Sequence, residues 1–91
     1  MKPADLRATQ RLHEALLSYE NDGANEPDAR RMISEERQAL YMALSRHEIA
    51  LEAYRRTGED RFKRALALAE SKLATVAAEA RRVAKMWGVP W

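Results

Sequence analysis

The sequence predicts an all-α protein: a long antiparallel helical hairpin with a shorter N-terminal helix packed on it, a three-helix bundle in a single domain, 1–91. Three observations carry this expectation. Alanine supplies 17 residues and leucine 10, against eight β-branched residues, so composition favours helix and leaves little material for strands. Apolar side chains recur at spacings of three and four along most of the chain. The turn-forming residues fall mainly in short stretches that divide the chain into three helical segments.

The first helix is expected over about residues 4–19. Pro3 is tolerated near a helix start, and Leu6, Leu12, Leu16 and Tyr19 fall on one side. The stretch NDGANEPD (21–28) interrupts it. Asn25 is the expected N-cap of the second helix, with Glu26, Pro27 and Asp28 in a first turn where acids complement the helix dipole. That helix, about 26–56, stops at Thr57-Gly58, where glycine supplies a left-handed residue at little steric cost. The third helix, about 60–87, opens with Glu59 and Asp60. It ends in WGVPW, an order suited to a Schellman stop: Gly88 left-handed, Val89 turned back onto the last turn, Pro90 blocking continuation.

The third helix carries the most regular pattern. Phe62, Leu66, Ala69, Leu73, Val76, Ala80, Val83 and Trp87 alternate steps of four and three over nearly four heptads, a coiled-coil-like seam. The second helix offers Ile33, Arg37, Leu40, Leu44, His47, Leu51 and Tyr54 as the matching row. Folded about Gly58, Tyr54 meets Phe62, Leu51 meets Leu66, Leu44 meets Leu73, Leu40 meets Val76 and Ile33 meets Val83. Register holds along the whole hairpin. Two polar residues interrupt the seam where the opposing residue is alanine: His47 against Ala69 and Arg37 against Ala80, large against small. Glu70 is expected to partner His47, and Glu79 to partner Arg37. Trp87 closes the seam. No periodicity claims Trp91, which either folds back beside the first helix or Ile33 or serves as an anchor for a partner.

A second stripe lies on the far side of the second helix: Ala39, Met42, Arg46, Ile49 and Ala53. Exposed Met42 and Ile49 require a cover, supplied either by the first helix or by a second copy of the chain. The third helix has a small-residue back face, Ala67, Ser71, Ala74 and Ala78. Weak self-association, as a homodimer, is expected through one of these surfaces.

Catalytic signals are poor. His13 and His47 are each followed by glutamate, but neither begins an HExxH pattern, and no Glu-x-x-His pair exists for a carboxylate-bridged di-iron site. Three scattered glycines cannot build a phosphate loop, and no serine sits in a nucleophile-elbow context. His47, Glu48 and Glu52 form a weak cluster of the kind found on solvated helix faces. There is no cysteine, which excludes disulfides, thiolate metal sites and cysteine nucleophiles. No enzyme activity, cofactor or metal is therefore expected. The N-terminus lacks the apolar core of a secretion signal and no apolar run is long enough to cross a bilayer, so the sequence reads as cytoplasmic. Twelve arginines against four lysines hint at a GC-rich bacterial, phage or plasmid genome.

Net charge is only +2, a weak electrostatic basis for nucleic-acid binding. Basic residues nevertheless cluster at both ends of the hairpin. Arg55, Arg56, Arg61, Lys63 and Arg64 surround Gly58, diluted by Glu59 and Asp60, while Arg81, Arg82 and Lys85 lie near Arg30 and Arg31 at the other end. The expected function is a small non-enzymatic protein–protein interaction module, an accessory or regulatory protein, such as an inhibitor, that binds a larger complex. Met42, Arg46, Ile49 and Trp91 are its candidate contacts. The alternative is a sequence-nonspecific nucleic-acid binder acting weakly through the two basic ends.

Overall fold

The computed structural model describes residues 3–22 and 26–91. Among them are three helices and no strand: α1 (Pro3–Asn21), α2 (Pro27–Thr57) and α3 (Asp60–Met86). The expected boundaries hold to within one or two residues, the ordinary spread at frayed helix ends. Asn25 lies outside the described residues. The N-cap position of α2 belongs to Glu26, extended at φ −59°, ψ 138° and without a side-chain cap. Pro27 begins the helix there, where its missing N–H costs nothing.

Both glycine stops form as the sequence requires. Gly58 is left-handed at φ 68°, and its N–H donates to the Tyr54 carbonyl at 2.8 Å. The Thr57 hydroxyl donates to the Ala53 carbonyl at 3.0 Å and accepts from the Glu59 N–H at 3.2 Å, bridging α2 to α3. At the far end Gly88 is left-handed at φ 69°. The Val89 N–H reaches the Ala84 carbonyl at 2.8 Å and the Gly88 N–H reaches that of Lys85 at 3.3 Å, the two bonds of a Schellman motif. Val89 is buried by the turn, its apolar contact. Trp87 stands at the C-cap, one residue beyond the helix body, half-buried against the core.

The α2–α3 hairpin sets the long dimension of a molecule measuring 48 × 19 × 17 Å. Its register is the expected one at His47, which is buried with Nε2 3.8 Å from Glu70 Oε1. At Arg37 the expectation fails. Arg37 pairs with Glu20 of α1, which also accepts from the Ser34 hydroxyl at 2.9 Å, while Glu79 pairs with Arg82 one turn along α3. The cause is α1: its last turn brings a carboxylate directly beside Arg37, whereas Glu79 has a cation on its own helix.

α1 runs antiparallel to α2 along the half of the hairpin that holds the chain ends. Glu20 lies at Ser34 and Arg37, and the His13 ring lies 5.9 Å from that of Tyr41. Leu12 and Leu16 are fully buried and complete a core with Ile33, Leu40, Leu73 and Val83. Ala77 and Ala84 are buried as well, one step off the α3 seam. α1 thus widens the buried stripe of α3 beyond the two-helix seam. No residue from Glu48 to Lys72 reaches full burial. There the same seam continues, through Leu51, Tyr54, Phe62 and Leu66, but only half-buried.

Candidate protein-docking groove

α1 does not cover the Met42–Ile49 stripe. It packs on the side of α2 that carries Ser34, Arg37 and Tyr41, well round the helix from Met42. Met42 is left 52% exposed and Ile49 70% exposed. They form one bank of a groove that runs between α2 and α3 on the face away from α1, with a volume of about 760 Å³. Ala43, Ala50, Ala69 and Val76 make its floor; these residues are small or partly buried in the seam below. The α3 bank holds Phe62, Ala65, Leu68, Lys72 and Thr75, with Leu68 57% exposed. Small residues let the floor lie deep between the helices, and longer aliphatic side chains raise the rims.

Of the four sequence-derived contact candidates, the groove brings together Met42, Arg46 and Ile49. Trp91 is not part of it; it follows the helix stop and is 50% exposed. Leu68 and Lys72 were missed by the sequence reading. They sit on an α3 row, Ala65, Leu68, Lys72 and Thr75, with the same three-four spacing as the α2 stripe. The stronger seam beside it conceals that row. The charged groups lining the groove are Arg46 and Lys72, on opposite banks, with no carboxylate among its lining residues.

The small-residue face of α3 is exposed. Ala67, Ser71 and Ala74 form, with Asp5, Ala8 and Thr9 of α1, a smaller and more polar cleft bordered by Glu70 and Arg81. The basic clusters are also exposed, and several members are already engaged. Arg56 lies 3.5 Å from Glu52, and Arg61 lies 3.1 Å from Glu59 with its guanidinium 4.6 Å from the Phe62 ring centre. At the other end Arg82 pairs with Glu79, Arg31 with Asp28 at 3.7 Å, and Arg30 donates to the Asp22 carbonyl at 3.2 Å. Arg55, Lys63, Arg64, Arg81 and Lys85 complete these clusters on the solvent side. Local acids thus dilute the positive field at both ends.

Titration is shifted mainly where α1 meets the hairpin. The hydrogen bond from Arg37 holds the Glu20 carboxyl below its ordinary value, assisted by Ser34. Burial, and then the nearby Arg37 charge, lowers the His13 imidazole. On the groove side of α2, burial raises the Glu36 carboxyl, and the neighbouring Glu79 adds to the rise. Among the described residues no group of three or more His, Asp or Glu side chains is placed to hold a metal ion. No described helix is long and apolar enough to cross a membrane. The chain matches no protein-family model, no curated protein and no solved structure.

Proposed function

We propose that the chain is a non-enzymatic protein–protein interaction module, an accessory or regulatory protein that acts, as an inhibitor would, by docking onto a larger complex. The observation that carries this reading is the groove of Met42, Ile49 and Leu68. Three large aliphatic side chains stand more than half exposed around an apolar floor, on the face that α1 leaves uncovered. Apolar surface gathered in this way favours association, because burying it releases water at about 25 cal/mol for each Å².

The test is a surface substitution that spares the core. Ile49→Glu and Leu68→Glu place a charge on the rim of the groove, so the helical signal and melting temperature should stay close to wild type. Affinity purification of wild type and of each variant, with and without nuclease, should yield a protein partner that wild type retains after nuclease and both variants lose. Partners retained equally by the variants would refute the groove as the docking face. Partners lost only on nuclease treatment would move the function to the basic ends.

A further inference from the structure

The groove has a cationic waist. Arg46 and Lys72 stand on its opposite banks, and in the hairpin register they fall at nearly the same level. Apolar levels lie on either side of them: Met42 towards the chain ends, Ile49 and Leu68 towards Gly58. Neither cation has an acid three or four residues away on its own helix. Those positions hold methionine, alanine and isoleucine around Arg46, and leucine, alanine, threonine and valine around Lys72. Arg31, Arg56, Arg61 and Arg82, by contrast, each pair with a carboxylate within four residues. Two positive charges above an apolar floor, with no carboxylate in the lining, make a positive field that the low-dielectric walls focus.

The opposite flank of the same hairpin shows what such a surface accepts. There α1 seats Leu12 and Leu16 in the core and places Glu20, four residues on, against Arg37. Leucines followed by a carboxylate, all on one side of a helix, meet an apolar flank with an arginine beside it. The groove repeats these elements on the uncovered flank, with Arg46 and Lys72 in the place of Arg37. We propose that it binds a helix of another protein, one that carries a row of large aliphatic side chains and a carboxylate on each shoulder of that row near its midpoint. This rests on reading the groove as a protein-docking face and names the chemistry of the occupant.

A helix suits the groove for two reasons. Its backbone N–H and C=O groups are satisfied internally, so it can lie on an apolar floor that offers an extended chain few partners. Its length also fits: from Ala39 to Ala53 the groove spans about 21 Å, four turns of helix. Seated there, the aliphatic row covers Met42, Ile49 and Leu68, and the two carboxylates meet Arg46 and Lys72 at the rims. Apolar burial supplies affinity, and the paired charges decide which helix is accepted.

Two fluorescent synthetic helices test this on the full chain, by anisotropy. Both are about 14 residues long, carry the same leucine row and are stapled, since helices so short are marginal in water. One has glutamate on both shoulders, the other lysine. The glutamate peptide should bind at least about tenfold tighter than the lysine peptide, and Ile49→Glu or Leu68→Glu should abolish its binding. Arg46→Glu with Lys72→Glu should invert the preference, and Arg46→Gln with Lys72→Gln should erase it. Arg7→Glu with Arg11→Glu, the same change in net charge on exposed residues of α1, should leave it in place. No binding of either peptide at high micromolar concentration, or equal binding of both, overturns the proposal. So does a wild-type dimer that Leu68→Glu dissociates in sedimentation, since the groove then takes a second copy. If the protein does not distinguish the peptides while Ile49→Glu and Leu68→Glu still lose a captured protein, the acidic helix is wrong and the docking face stands. Peptide binding that survives both rim substitutions removes the groove itself.

Discussion

The two ends of the hairpin share one helical repeat and differ in burial. Near the chain ends, Ile33, Leu40, Leu73 and Val83 are fully buried. Near Gly58, Leu51, Tyr54, Phe62 and Leu66 occupy the same seam positions and remain half-buried. Their apolarity and spacing are equivalent; the difference is α1. Two helices can hide a seam from the side on which they touch, but water reaches it from either flank. α1 closes one flank at the chain-end half, and Leu12 and Leu16 fill the space. Full burial in a bundle this small is thus a property of three helices meeting, and a seam alone leaves its side chains partly wet.

The comparison predicts unequal costs for the same substitution. Leu40→Ala and Leu73→Ala should each destabilise the protein by about 2–5 kcal/mol, the range for fully buried leucines. Leu51→Ala and Leu66→Ala should cost about half as much or less, because much of the transfer free energy was never gained. Chemical denaturation with a constant m-value measures this directly. Equal losses at the two ends would mean that the turn end is covered in solution. The two tryptophans extend the contrast to the terminus. Trp87 packs half-buried on the core, so Trp87→Ala should cost about 2–4 kcal/mol. Deleting the half-exposed Trp91 should change stability by no more than about 0.5 kcal/mol, as a thermal melt would show.

Acidification should act on the three-helix half. Glu20 and His13 both have folded-state values below their unfolded ones, so each contributes stability that is present at neutral pH and lost on acidification. The His13 contribution falls away as pH drops below about 6.5 and that of Glu20 below about 4.5, each continuing through its lowered folded value. Melting temperature should decline over that span, and Glu20→Gln should lower stability at neutral pH while flattening the acid limb. A variant as stable as wild type at pH 7 would show that the Arg37 pair does not hold α1. The smallest effect belongs to the turn end. Replacing Arg55, Arg56 and Arg64 together by Ser should leave the melting temperature nearly unchanged, since all three are exposed. Any nucleic-acid affinity lost with them should be weak and abolished by a two- or threefold rise in salt. Submicromolar binding that survives physiological salt would make the turn end the functional one.

Much of this architecture is local, and local patterns are legible in a sequence. Gly58 and Gly88 mark the helix ends because left-handed backbone costs glycine almost nothing, and WGVPW closes into its Schellman turn through bonds within six residues. The hairpin register follows from a three-four repeat folded about the short turn at Gly58, and His47 beside Glu70 falls out of it. The placement of α1 does not follow, because its short apolar stripe says which side of α1 is covered and not which flank of the hairpin covers it. Tertiary structure made that choice. It took Arg37 from Glu79 and gave it to Glu20, added Ala77 and Ala84 to the core, and left Met42, Ile49 and Leu68 open as a groove. The physical reason is that a helical repeat states which side of a helix must be covered, while the identity of the cover depends on competition among surfaces distant in the chain.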